Sequence, residues 1–250
     1  MKDSTHYSYT LYDRDDVTRG FDNARFKGEI GRFFQAHQEA FVMTHLGEPS
    51  GMTLLDMGTG TGRMTLPLSR RGARVIAADA SQKMLEILKE KAFLQGLDVE
   101  LSRIDAHSLP FPDRHFDAAI SFRMIMHVVD WHTALAELCR VTSRIVILDF
   151  PPVCGFAGLA PAVHPVIRPF NPNHQSYRVF KTSEIRNVLE SHGFEIRAVD
   201  RHVVLPFGLH RAVNSIRFTR WTETLLARIG LRDLLGAPVT IAAERKDVVQ

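Results

Sequence analysis

The sequence predicts an α/β fold built on a doubly wound, seven-stranded, mostly parallel sheet. Three observations carry that prediction. From Met52 to Phe150 short β-rich runs alternate with helical stretches, as βαβ units require. The first run ends in a cluster of alternate glycines ahead of a helical segment, the strand, turn and helix order that places a ligand at the sheet edge. Two further runs with strand character, beyond residue 190, complete the sheet.

Met52–Met57 (MTLLDM) is the first strand and Arg63–Arg71 the helix after it. Ala73–Asp79 (ARVIAAD) is a second buried strand, followed by Ser81 as N-cap and by Met84, Leu85, Leu88 and Ala92 along one helical stripe. Asp98–Ile104 is a weaker third strand, and the turn residues Leu109–Asp113 lead into the fourth, Phe116–Phe122. Trp131–Thr142 forms a helix with Leu135, Leu138, Cys139 and Thr142 on one face, which makes Cys139 a core residue and not a nucleophile. Arg144–Phe150 (RIVILDF) is the fifth strand.

Three segments decorate this frame within a single domain, 1–250. Residues 1–46 form an N-terminal helical cap, with Ile30, Phe33, Phe34, His37, Phe41 and Val42 at helical spacing, expected over the ligand edge. Residues 151–181, with six prolines in an irregular stretch, form a lid insertion. Thr182–His192 is helical, capped by Thr182 or Ser183 and ended by Gly193, and Phe194–Leu205 is a strand. A basic helical insertion, 207–236, then holds five arginines against Glu223 and Asp233, a net +3 that equals the charge of the whole chain, before the last strand, Pro238–Glu244.

The composition, 45% hydrophobic and 24% charged, excludes a disordered chain, and two cysteines exclude a disulfide scaffold or cysteine-rich zinc module. The first residues lack an apolar leader and no run approaches the ~20 apolar residues of a membrane span, so a cytoplasmic protein is expected. No His pair or His/Cys cluster has metal spacing, so no metal is expected.

The densest signal is Asp56-Met57-Gly58-Thr59-Gly60-Thr61-Gly62. Glycines at the end of a buried strand let the backbone turn tightly and approach a ligand. The dinucleotide fingerprint needs a glycine where Arg63 stands, and a P-loop needs a Gly-Lys-Ser/Thr ending that is missing. The string D-x-G-x-G-x-G, with Asp79 and Asp105 ending the next two strands, resembles the class I S-adenosylmethionine-dependent methyltransferases, the branch that includes ubiquinone and menaquinone methyltransferases. The resemblance spans Met52–Phe150 and returns at Thr182–Leu205.

That resemblance implies S-adenosyl-L-methionine as cofactor. It implies that Asp56, Gly58, Thr59 and Gly60 hold the methionine part, and that Asp79, with Ala80 and Met84 after it, takes the ribose. Asp105 and Ala106 would read the adenine. Phe122 would lie beside the methionine moiety, and Arg25, in the Phe21–Phe26 segment, would fold over the cofactor. Carboxylates suit a vicinal diol and an exocyclic amine, and a sulfonium needs no phosphate-binding lysine.

His127 is a candidate wall residue or general base; Tyr12, His174, Tyr177 and His210 are further candidates, none assigned. Arg123 stands where the family has small or apolar residues. Asp149-Phe150-Pro151-Pro152 resembles the box of nucleic-acid amino methyltransferases but follows the fifth strand, not the fourth. The implied reaction is methyl transfer to a small molecule, quinone-, lipid- or natural-product-like. No nucleic-acid partner is expected, while the 207–236 arginines leave phosphate or membrane-surface contact open. The alternatives are an NAD(P)-dependent oxidoreductase, opposed by Arg63 and the lack of a Tyr-x-x-x-Lys pair, and a non-catalytic binding module on the same fold.

Overall fold

The computed structural model describes Thr18, residues 28–159, Ala162, His164 and residues 177–246. Seven strands form one sheet in the order β3-β2-β1-β4-β5-β7-β6. They are β1 (Thr53–Met57), β2 (Arg74–Asp79), β3 (Glu100–Arg103), β4 (Phe116–Ser121), β5 (Thr142–Phe150), β6 (Phe194–Val203) and β7 (Ala237–Arg245). β1 to β5 pair in parallel, and only β7 runs against its neighbours. The central strands are buried on both faces, which is why they read as continuous apolar runs and not as alternating ones.

One face is covered by α1 (Gly28–Leu46), α2 (Thr65–Arg70) and α3 (Gln82–Leu94), the other by α4 (Trp131–Val141) and α6 (Thr182–Ser191). Val42 and Leu46 of α1 join Leu68 of α2 over Leu54, Val75, Ala118, Ile120 and Ile147. On the far face Leu135, Leu138 and Cys139 meet Ile185 and Leu189 over Val146, Leu148 and Ile241. Cys139 is fully buried, as its place on the helix predicts, and burial pushes its thiol up to about 12. The short α5 (Gly155–Gly158) follows β5, while α7 (Phe207–Val213), α8 (Ile216–Arg228) and α9 (Leu231–Leu235) divide the β6–β7 connection.

Several boundaries differ from expectation for local reasons. Ser81 caps α3 by accepting the Met84 N–H at 3.2 Å. α6, however, starts after Lys181, not after Thr182 or Ser183, because the Glu184 carboxylate turns back to accept the Lys181 N–H at 2.7 Å. The helix expected from Arg63 begins at Thr65, the preceding residues completing the glycine turn. The basic insertion is three helices, broken at Asn214 and Gly230, both left-handed. α1 lies across a sheet face and reaches the ligand edge through Phe34 and through Gln38, whose amide donates to Asp149 at 3.2 Å. The described ends of the 151–181 segment, 151–159 and 177–181, meet where Pro152 bridges Phe180.

The carboxyl ends of β1, β2, β4 and β5 share one edge with the end of β6 and the start of β7. The glycine turn, the segment after β5 and the basic insertion therefore all leave the sheet on the same side. In an open α/β sheet that is the side where a ligand binds.

Candidate active site

Alternation along β1 turns Leu54 and Leu55 into opposite cores and leaves Asp56 at the strand end, 3% exposed. Its Oδ2 accepts from Thr59 Oγ1 at 2.9 Å, Thr65 Oγ1 at 2.7 Å and Thr65 N at 3.1 Å. Burial pushes this carboxyl above its ordinary range, and the threonine donors oppose that shift. Asp56 thus ties the glycine turn to the start of α2.

The turn itself requires glycine. Gly58 has φ +76°, and a Cβ there would lie 2.4 Å from Met124 Cγ. Gly60 has φ +54°, but the space where its Cβ would stand is open, so the backbone there faces a cavity and not a neighbour.

Asp79 ends β2 beside this turn. Its Oδ2 accepts the Gly60 N–H at 2.8 Å and its Oδ1 the Ser81 N–H at 2.9 Å. Burial raises this carboxyl, and the nearby Asp56 adds to the shift against those backbone donors. An ionised carboxylate has about four acceptor positions, more than the backbone fills, so capacity remains for ligand hydroxyls. Past β3, Asp105 accepts from the His107 N–H at 3.0 Å, and the His107 ring lies 2.6 Å from the same oxygen.

These groups enclose a cavity of about 150 Å³. Asp56, Gly58, Thr59, Gly60, Asp79, Ala80, Met84, Asp105, Ala106 and Phe122 all line it, and so does His127, which is 9% exposed. Arg25, Tyr12 and His174 lie outside the described residues. Tyr177 lines a second cavity, not this one. His210 lines neither: it is fully buried between Glu223, 2.9 Å from Nε2, and Thr219, 3.1 Å from Nδ1. It holds the insertion together and is no candidate for catalysis.

The residues present fit a sulfonium nucleoside better than a dinucleotide. Three carboxylates, Asp56, Asp79 and Asp105, wall the cavity, and two of them are pushed towards protonation by burial. A pyrophosphate at the turn would face that acidic wall, whereas a cationic ligand with hydroxyl and amine donors is complemented by it. Among the described residues no group of three or more His, Cys, Asp or Glu could hold a metal ion.

The second cavity, about 290 Å³, adjoins the first and shares Arg63 and Arg123 with it. Its apolar walls include Phe34, Met126, Phe156 and Phe207, and its polar groups include Gln38, Asp149 and His202. Arg123, at φ +58°, donates its backbone N–H to Asp149 Oδ1, while Arg63 donates to Gln38 Oε1 at 2.7 Å. Asp149, discounted in the sequence as a decoy box, is a wall of this cavity; burial raises its carboxyl against the pull of Arg123 and Arg63. His202 is 6% exposed with its ring 4.1 Å from that of His37, and burial with His37 holds it down to about 3. No signal in the sequence marks His202, which sits in an ordinary strand. Gln38 carried a faint one, being a polar residue inside the apolar period of α1.

Sheet order and site together define a class I methyltransferase fold. The magnesium protoporphyrin IX methyltransferase of Synechocystis, solved with bound SAH, superposes with a TM-score of 0.67 over 95% of this chain and 99% of that one, at 21% identity. Within the fold, residues 55–146 match the family described as Methyltransferase domain. The demethylmenaquinone methyltransferase of Thermus thermophilus is 42% identical over 110 residues, 42% of this chain and 50% of that protein. The ubiquinone biosynthesis O-methyltransferase of Sinorhizobium medicae is 29% identical over 151 residues, 58% of this chain and 61% of that protein. The chain thus spans about half the length of the first of these relatives and three fifths of the second. The resemblance to class I S-adenosylmethionine-dependent methyltransferases of the quinone branch, read from the glycine turn and its two acids, is borne out by these matches.

Proposed function

We propose that this chain transfers a methyl group from S-adenosyl-L-methionine to a small, partly apolar acceptor. The observation that carries the reading is the smaller cavity, where an open glycine backbone, Asp79 and Asp105 converge from three neighbouring strands. When bound, S-adenosylmethionine supplies a methyl group activated by its sulfonium. The chain's own contribution is to bind, orient and exclude water. Asp79 would accept the ribose hydroxyls, Asp105 and Ala106 would read the adenine, and the backbone at Gly58–Gly60 would hold the methionine part.

The acceptor takes the larger cavity, whose phenylalanines suit a fused ring or prenyl-type body and whose arginine-bearing side adjoins the cofactor cavity. Methyl acceptors of this class are named for the relatives: menaquinone and ubiquinone precursors, and a protoporphyrin. No residue is assigned as a general base. His127 is a wall of the cofactor cavity, and Arg63 and Arg123 are the residues the two cavities share.

The test is calorimetric titration with S-adenosylmethionine, NAD and NADP in turn, followed by incubation with methyl-labelled cofactor and quinone-like phenols. Saturable binding of the sulfonium alone, with labelled product, is the expected result. Binding of a nicotinamide cofactor instead would return the protein to the oxidoreductase reading, and no binding at all to the binding-module reading.

A further inference from the structure

The insertion between β6 and β7 presents a helix whose large apolar side chains are split between its inward and outward sides. In α8 the buried residues are Thr219, Thr222 and Glu223, while Trp221 is 67% exposed, Leu225 45%, and Ile229, just past the helix end, 61%. A helix that serves only the fold turns its apolar side inward. Here the inward stripe sets the half-buried Ile216 beside the buried Thr219, Thr222 and Glu223, and Glu223 has specific work there. The Glu223 carboxylate accepts the N–H groups of Val204 at 2.8 Å and Leu205 at 3.1 Å and lies 2.9 Å from the His210 ring. This ties α8 to the end of β6.

The outward side is then left with a composition that folding does not explain. With a period of about 3.6 residues, Arg217, Trp221, Thr224, Leu225 and Arg228 fall on one stripe, and Arg220 at its margin. Arg217, Arg220 and Arg228 are all exposed. Because Glu223 is buried, Asp233 is the sole exposed carboxylate of the insertion, residues 207–236. Leu209 and Val213 on α7 and Leu234 on α9 are exposed as well. A tryptophan and aliphatic side chains set among arginines, with almost no opposing acid, complement a surface that is apolar below and anionic above.

We propose that the outward face of α8 seats this chain on an anionic lipid surface, with Trp221 and Leu225 entering the headgroup boundary and Arg217, Arg220 and Arg228 meeting lipid phosphates. Phe207, at the start of the same insertion, lines the larger cavity, so the element that touches lipid also walls the space assigned to an apolar acceptor. The proposal stands on α8 alone and does not require that methyl transfer be the activity.

The experiment is flotation of the full chain with vesicles of phosphatidylcholine alone or mixed with phosphatidylglycerol, with tryptophan emission recorded. The chain has two tryptophans, and Trp131 is 4% exposed, so a blue shift on binding reports Trp221. The expected result is binding to the anionic vesicles at least about tenfold tighter than to the neutral ones, with the blue shift. Trp221→Ser with Leu225→Ser removes the shift and most of the binding. Each of Arg217→Gln, Arg220→Gln and Arg228→Gln weakens binding about fivefold. Unchanged melting curves show that the variants fold. Equal partition onto both vesicle types, no partition, or variants that bind like the parent would overturn the proposal. So would sedimentation showing that the parent self-associates through this face and the Trp221→Ser, Leu225→Ser variant does not.

Discussion

The two cavities sit side by side at one sheet edge and are built in opposite ways. The smaller one is made by short-range chemistry: a glycine turn, the acid that ends β2 and the acid that follows β3, all within residues 56–128. The larger one gathers Phe34 and Gln38 from α1, Asp149 and Phe150 from β5, Phe156 and Tyr177 from the lid ends, and residues 202–207 from the end of β6. The family match, residues 55–146, covers the first region and stops before β5 ends. A shared cofactor calls for a shared turn. In the proposed reading the acceptor is set by what the insertions bring over the neighbouring strands, outside the family match.

That contrast can be broken at either side. The largest effect is expected from Phe34→Ala. Phe34 is 5% exposed and its ring lies 4.7 Å from Phe207 and 5.0 Å from His202, so its loss leaves a cavity costing about 3–5 kcal/mol in denaturant unfolding. Affinity for S-adenosylmethionine in the surviving folded fraction stays unchanged. If affinity falls as far as stability does, the two cavities are one unit.

Asp79→Ala comes next, on the other side: it removes the ribose acceptors and weakens cofactor binding by roughly 1–3 kcal/mol. The fold survives, because Gly58 and Thr59 still donate to Ala78 O at 2.8 and 3.0 Å. Calorimetry with an unchanged dissociation constant would contradict the assignment. Gly60→Ala follows, with ~1–2 kcal/mol of stability lost to its left-handed backbone. Because its added methyl projects into the cavity, cofactor affinity should fall by more than a change in unfolding free energy alone accounts for.

The smallest effect is one of slope. His202 titrates at about 3 in the folded chain against an ordinary 6.5. Its folded value is depressed and its neutral form is the stable one. As pH falls below about 6.5 the unfolded chain takes the proton first, so stability is lost progressively towards pH 3. His202→Phe removes that contribution, and its Tm should fall less steeply on acidification than the parent's. Parallel curves would mean that the buried ring at this site is not the group responsible.

How much of this was legible follows from the same division. Every cofactor residue assigned from the sequence that lies among the described residues reached the smaller cavity, since a strand end and a tight turn fix a side chain's direction locally. The box at Asp149 was set aside on its strand position, and its place in the larger cavity was not legible because that depends on β7 entering beside β5 and on Arg123 donating to it across from β4. His210 was misjudged because nothing near it in the chain announces Glu223, thirteen residues on, as its partner. The helix start at Lys181 escaped because a carboxylate at Glu184 outcompeted the nearer hydroxyls.

The sequence alone determined the alternation of strands and helices, the glycine turn and the acids at the ends of β1 and β2 and past β3, because periodicity and backbone sterics act within a few residues. Only the tertiary structure decided which distant groups share the larger cavity, and that α8 turns Thr219, Thr222 and Glu223 inward and Trp221 outward. Those outcomes depend on long-range pairing, on burial and on where a buried polar group finds its partner, and none of these is a property of a local stretch of chain.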